Sequence, residues 1–203
     1  MKKAIIGAIA AGVALGVMVA VLAVTREPEP TGGFDFRKVR WGMSPAQVEA
    51  AEKKDGLVPL FRRDNMTVYE TTINGEKFNL GYEFVNDKLA KAGYILNENF
   101  INANNYVKTF EGLKKLLVEN YGNPLTDETT WSNDFLKNKP DMIGNAYAAG
   151  SVESVVVWET EKTKLGLEFF GERMKVKINV VYFSKMLDSE FQAAKKNRDK
   201  GLL

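Results

Sequence analysis

Residues 66–96 read MTVYETTINGEKFNLGYEFVNDKLAKAGYIL, and this stretch decides the fold class. Asn74-Gly75 separates two runs rich in Thr, Val, Tyr and Phe. A two-residue type I′ turn needs positive φ at both central positions, which Asn and Gly tolerate best, so the pair predicts a hairpin. In Glu76–Val85, Phe78, Leu80, Tyr82 and Phe84 alternate with Lys77, Asn79 and Glu83. That period of two puts the apolar set on one face of a half-buried strand. Asn86-Asp87 supplies a second turn and Lys88–Leu96 a third strand, which makes an antiparallel meander.

Working outward, Met43-Ser44-Pro45-Ala46-Gln47-Val48 carries four agreeing signals for a helix start. Ser44 and Gln47 are spaced as a capping box, Pro45 suits the first helical position, and Met43 and Val48 are spaced as a hydrophobic staple. The helix should stop near Lys53–Asp55, with Gly56 as its breaker. Phe34–Trp41 before it reads as a short strand or an extended lead-in, and Leu57–Arg62 after it as a short strand. Downstream, Asn97–Asn105 is a polar loop. Tyr106, Phe110, Leu113, Leu117 and Tyr121 then form one apolar stripe at helical spacing, closed by Gly122 and Pro124. Leu125–Gly150 is the least regular stretch, with a short helix expected around Asp141–Ala149. Three strands are expected at Val152–Thr160, Lys164–Phe170 and Met174–Phe183, the last two joined by a turn at Gly171-Glu172. A charged helix should close the chain over Leu187–Lys200.

The order is helix then meander, twice. The expected fold class is therefore α+β: tandem helix-plus-antiparallel-meander repeats forming an antiparallel sheet with helices on one face. The expected organisation is an N-terminal membrane anchor or signal peptide over 1–25, a linker over 26–33, repeats over 34–96 and 97–184, and a charged helical tail over 185–203. The sheet face opposite the helices would be polar and wet, presenting Lys77, Asn79, Glu83, Lys175, Lys177 and Asn179.

The N-terminal expectation rests on Ala4–Val24, which has no charge and no strongly polar side chain. At 1.5 Å per residue it would span roughly 31 Å as a helix, the thickness of a bilayer's hydrocarbon core. Lys2 and Lys3 place the N-terminus inside and the domain outside. Val21-Leu22-Ala23 fits the small-residue rule for signal cleavage, so a retained anchor and a cleaved leader both stand. Gly12 and Gly16 have small-xxx-small spacing, which the Ala/Gly-rich composition explains by itself. Pro28, Pro30, Gly32 and Gly33 make the following stretch a tether. The expected location is a single pass in the inner membrane with a periplasmic domain, or a periplasmic or secreted protein after cleavage.

Composition narrows the chemistry. The chain has no cysteine and no histidine, which removes the usual zinc, copper, iron–sulfur and haem ligands and the commonest general base. It removes Ser-His and Cys-His nucleophile pairs as well. The net charge is +2, too small to draw nucleic acid by a long-range field. No Gly-rich phosphate loop or calcium loop is present. Carboxylates are scattered without a spacing that singles out a pair. Ser184-Lys185 is adjacent, but neighbours on a strand point to opposite faces. Trp41, Trp131 and Trp158 lie beside strand or helix ends, where large rings fill a core; Trp131 is the best placed of the three to meet a partner. Lys164, Lys175 and Lys177 form a basic stripe of the kind found on solvated sheet faces. No catalytic, cofactor-binding or metal-binding residue is expected.

Two stretches carry a family resemblance. Val39–Val48 resembles the Gly-Met-Thr/Ser-x-x-x-Val helix start of the SmpA/OmlA-like domain, found in the small lipoprotein of the outer-membrane barrel assembly machine. Tyr121-Gly122-Asn123-Pro124 with Trp131 resembles the Leu/Tyr-Gly-x-Pro helix exit of the same domains. The helix-then-meander order is similar to the tandem repeats of the β-lactamase inhibitory proteins. The start motif lies only in the first half and the exit motif only in the second, and the lipobox cysteine is missing. The resemblance implies this fold, binding to other proteins and no catalysis. The expected function is therefore a membrane-tethered periplasmic protein-binding or scaffold domain of the bacterial cell envelope, with an envelope protein as partner. The alternatives are an inhibitor or sensor of an envelope hydrolase, and a carboxylate-based cell-wall hydrolase.

Overall fold

A computed structural model describes residues 33–200. The apolar Ala4–Val24 segment and all but the last residue of the linker lie outside them. Among the described residues, no helix is long and apolar enough to cross a membrane.

The first half runs α1 (Pro45–Lys53), β1 (Phe61–Arg63), β2 (Met66–Ile73), β3 (Glu76–Val85) and β4 (Lys88–Leu96). The second runs α2 (Asn104–Tyr121), β5 (Thr126–Trp131), two 3₁₀ turns (Asp134–Leu136 and Pro140–Met142), α3 (Ile143–Ala148), β6 (Val152–Glu159), β7 (Thr163–Glu172) and β8 (Lys175–Ser184). The last helix, α4, spans Asp188–Lys200. All eight strands form one antiparallel sheet in the order β1-β2-β3-β4-β8-β7-β6-β5. Each half contributes four neighbouring strands, and the halves join where β4 pairs with β8.

Local chemistry sets most of these boundaries. Gln47 N donates to Ser44 Oγ at 3.4 Å and Ser44 N to Gln47 Oε1 at 2.9 Å, so the capping box is complete. Asn74 and Gly75 have φ of 53° and 85°, the pair of positive values a type I′ hairpin needs. Gly122 ends α2 with its N–H on the Val118 carbonyl.

The turn between β7 and β8 differs from expectation. It falls at Arg173-Met174, both at positive φ, and Gly171 lies inside β7 opposite Val176. A Cβ on Gly171 would sit 1.8 Å from the Tyr147 carbonyl oxygen, so this glycine serves a close approach by α3 and not a turn. The second half also holds a strand not expected from sequence. β5 is polar because it is an edge, with four of its six residues exposed.

The two faces of the sheet are filled differently. Phe78, Leu80, Tyr82, Leu165, Leu167, Phe169, Ile178 and Val180 point to one side and pack with Val48 of α1 and with Tyr106, Phe110, Leu113 and Leu117 of α2. The expected wet face is covered at one end. Leu187 and Phe191, at the start of α4, pack there with Val85 and Ala90, and Arg198 reaches Glu83 at 2.9 Å. Asn79, Glu83 and Asn179, expected in water, are buried, while Lys175 is exposed. α4 is thus a sheet-covering helix, because its Phe191 and the preceding Leu187 meet an apolar patch that strand alternation alone does not reveal.

Candidate functional site

The segment that brings the chain into the domain, Gly33–Trp41, is folded into the helix side of the sheet. Phe36 is buried with ring centroids 5.7, 5.4 and 4.6 Å from Tyr82, Tyr94 and Tyr182. Arg37 follows at φ 49°. Its Nε and Nη2 donate to the two carboxylate oxygens of Glu52, each at 3.1 Å, a bidentate pairing. The Tyr82 hydroxyl donates to the same carboxylate, and Arg37 Nη1 reaches the Tyr94 hydroxyl at 3.5 Å. Asp55 adds a second carboxylate 3.5 Å from Arg37 and pairs with Lys38.

Glu52 is fully buried, an expensive place for a carboxylate unless it is paired and hydrogen-bonded. Here both conditions are met. Burial works against the Arg37 charge, but Tyr94 and Glu52 outweigh it and hold the guanidinium above its usual value. Burial, then the Glu52 charge, pushes the Tyr82 hydroxyl far up. Arg37 and Tyr82 therefore both keep their protons, and the network is built to hold geometry. Sequence reading did not single out Glu52, although a signal exists: it lies four residues after Val48, on the buried stripe of α1.

A second cluster lies on the opposite face. Lys91 Nζ is 3.7 Å from Glu83 Oε2 and sits over the Phe183 and Phe191 rings at 5.3 and 5.8 Å. Asn179 Nδ2 donates to Glu168 Oε2 at 3.1 Å. Burial lowers Lys91 and raises Glu168, each from its ordinary value.

The strands define two ends of the sheet. At the near end, Trp41 Nε1 donates to Thr163 Oγ1 at 2.8 Å, and Arg40 Nε donates to the Gly33 carbonyl at 2.9 Å. The described chain therefore begins beside the start of β7. At the far end, β4 and β5 run out into the loops that carry Ile101, Phe135 and Met142, and β7 turns into β8 at Met174. These four side chains are exposed; Ile101 is fully so. The loops are held and not loose: Asn104 Nδ2 donates to the Pro140 carbonyl and Asn104 Oδ1 accepts from Gly144 N at 2.8 Å. Gly144 lies so close to Ala103 that a Cβ would meet its carbonyl at 2.2 Å. Lys139 Nζ sits 4.2 Å from the centre of the Phe135 ring.

The near end also carries an open cavity of about 300 Å³, lined by Pro45, Glu49, Arg62, Asp64, Asn86 and Asp87 among others. Arg62 holds Glu49 in a bidentate pair at 2.5 and 2.9 Å, and that hydrogen bond keeps Glu49 below the usual carboxylate range. Glu49 is thereby suited to an ionised, structural role more than to carrying a proton.

The other residues singled out from sequence have these places. Trp41 and Trp158 are buried, and Trp158 Nε1 donates to the Gly122 carbonyl at 2.9 Å. Trp131 is partly buried and packs against the same core. Ser184 is buried and its Oγ accepts from Leu187 N, while Lys185 pairs with Glu159 at 2.5 Å, so the two are not brought together as a dyad. Lys164 and Lys175 are exposed and Lys177 is partly so. No group of three or more acidic residues that could hold a metal ion occurs among the described residues.

No protein-family model, curated protein or solved structure matches this chain.

Proposed function

We propose that the chain is a membrane-tethered, periplasmic protein-binding or scaffold domain of the bacterial cell envelope, non-catalytic, anchored through Ala4–Val24. We read the two halves as tandem helix-meander repeats of the SmpA/OmlA-like kind. The observation that carries this reading is a polarity in the fold. The tether joins at the near end, where Phe34, Leu125 and Met186 are exposed, and a further exposed set, Ile101, Phe135, Met142 and Met174, lies at the far end. β7 has ten residues, so the ends are separated by roughly 30 Å at about 3.3 Å per residue. Anchored at Gly33, the domain would hold apolar loops away from its own membrane, where they can meet another envelope protein. Exposed large apolar side chains gathered on braced loops are how interface anchors are usually displayed.

The test uses the full-length chain in membranes, with a photo-crosslinking residue at Phe135, Ile101 or Met174 and a control at Val58, which is equally exposed near the β1 edge. The expected result is one defined envelope protein captured from the far-end positions and not from Val58. Capture of nothing at the far end, or recovery of the intact chain in cytosol, overturns the reading. A second reading, a carboxylate-based cell-wall hydrolase, is favoured only by the near-end cavity with Glu49, Asp64 and Asp87. Turnover of peptidoglycan by the purified full chain, lost on Asp64→Asn or Asp87→Asn, would put it first.

A further inference from the structure

The lead-in Gly33–Trp41 fixes the place where the chain enters the domain. Phe36 fills the cage of Tyr82, Tyr94 and Tyr182, Arg37 holds Glu52, and Trp41 bonds Thr163 at the start of β7. Gly42 N donates to the Leu89 carbonyl at 2.9 Å and Leu89 N to the Met43 carbonyl at 2.8 Å, so the backbone is tied to β4 as well. At this end of the sheet three large apolar side chains stand in water. Phe34 follows Gly33 directly, with the Arg40 guanidinium 5.8 Å from its ring centre. Leu125 leads into β5 with its N–H on the Val157 carbonyl at 2.8 Å. Met186 follows β8, next to Lys185, whose N–H bonds the Lys162 carbonyl at 2.9 Å. Leu125 and Met186 are 62% and 71% exposed on backbone that the sheet holds in place. The charges of the same end lean basic: Arg40, Lys162, Lys164 and Lys185 stand against Asp35, Glu159 and Glu161.

We propose that the near end is seated on the bilayer that holds Ala4–Val24, with Phe34, Leu125 and Met186 at the level of the lipid headgroups. The inference rests on the membrane-tethered reading and adds an orientation to it. Between Val24 and Gly33 lie eight residues, which reach about 30 Å at most. Lipid is therefore the one apolar phase always within reach of these three side chains, whereas a protein partner would have to enter the gap between domain and bilayer. Tethering also keeps the local concentration of the surface high, so a few side chains suffice for a contact that would be too weak between free molecules. Leu125 and Met186 gain by leaving water. Arg40, Lys162 and Lys164 can lay their aliphatic stems along the interface and keep their charges among the phosphates. Seated in this way, the strands stand away from the membrane and the far-end loops are carried at a set height above it.

The chain has no cysteine, so an engineered thiol takes a fluorophore without background. The full-length chain is reconstituted in vesicles of phosphatidylcholine and phosphatidylglycerol that contain a lipid with a quencher near its headgroup. Single labels are placed at Leu125→Cys and Met186→Cys at the near end, at Phe135→Cys at the far end, and at Ala14→Cys in the apolar segment. The expected result is quenching at 14, 125 and 186 and none at 135. A label at Lys162→Cys should also be quenched, and should lose most of that quenching when Leu125→Asp and Met186→Asp are added, since both side chains are exposed and their replacement leaves the core intact. Quenching at 14 without quenching at 125 and 186 overturns the seating and leaves the tether standing. Quenching at 135 equal to that at 186 overturns it as well, because the domain would then lie flat. No quenching at 14 overturns the tether, and the seating with it.

Discussion

In the first half of the sheet a nine-residue helix meets the strands through a buried carboxylate. In the second, an eighteen-residue helix meets them through Phe110, Leu113 and Leu117, and an inserted short helix adds Tyr147. The same order of elements is therefore closed by two kinds of interaction. α1 buries only Val48 and Glu52. A helix that short offers too little apolar area to fix its own position, and the Arg37–Glu52–Tyr82 network fixes it by geometry. α2 buries a full stripe, and the remaining gap above Phe169 is filled by the Tyr147 ring, stacked at 3.5 Å with an interplanar angle of 10°. The half closed by charge should fail when one partner is removed, and the half closed by rings should fail when volume is removed.

Glu52→Ala gives the largest expected loss. It strips Arg37 and Tyr82 of their shared acceptor in a buried site, which costs about 3–5 kcal/mol for a broken buried pair. Denaturant unfolding measures it. The sharper form of the test is Arg37→Met with Glu52→Leu, which should recover most of the loss because no unpaired charge remains. If the double variant is no more stable than Glu52→Ala, the network holds the fold by something other than charge pairing.

Tyr147→Ala should rank close behind, at about 3–4 kcal/mol, as a large ring leaves a cavity over Phe169. Tyr147→Phe keeps the stack and loses only the buried hydroxyl contact with Ser154, 2.6 Å away, for about 1 kcal/mol. A Phe variant as damaged as the Ala variant would show that the second half, too, depends on a polar contact. Gly171→Ala tests the same interface from the strand side. Its new Cβ must move the Tyr147 backbone, at about 1–3 kcal/mol, and hydrogen exchange should show the loss concentrated in α3.

How much of this was legible follows from the same contrast. Features set by neighbours in sequence could be read directly: the Ser44–Gln47 cap, the Asn74-Gly75 turn, the stripe of α2 and the alternation of β3. Features set by a distant partner could not. Gly171 reads as a turn until the Tyr147 carbonyl is placed against it, and the real turn uses Arg173 and Met174, which no propensity favours at positive φ. Thr126–Trp131 reads as loop because an edge strand keeps its polar residues in water. Glu52 sits in a run of charged residues that looks solvated, and its partner Arg37 lies 15 residues away. The far-end apolar residues were visible as letters, but their shared position at the end opposite Gly33 depends on strand order.

The covered face of the sheet supplies the smallest and most diagnostic effect. Glu168 is buried, and burial raises its carboxyl above the unfolded value of 4.5, against the pull of the Asn179 bond and the Lys91 charge. A raised folded value means the folded chain holds its proton where the unfolded chain has lost it. The stability from Glu168 is thus fully present below about pH 4.5 and is lost as pH rises through the folded value. Glu168→Gln keeps a side-chain oxygen for Asn179 and has no charge to bury, so it should lack that fall. Lys91 retains Glu83 at 3.7 Å in the variant. Unfolding midpoints measured from about pH 4 to about pH 8, spanning that window, should decline for the parent and stay level for the variant, which becomes at least as stable near neutrality. A variant that is weaker at neutral pH with the parent's slope would mean that Glu168 is held by Lys91 as a net favourable pair. The face under α4 would then be closed by charge, as the first half is.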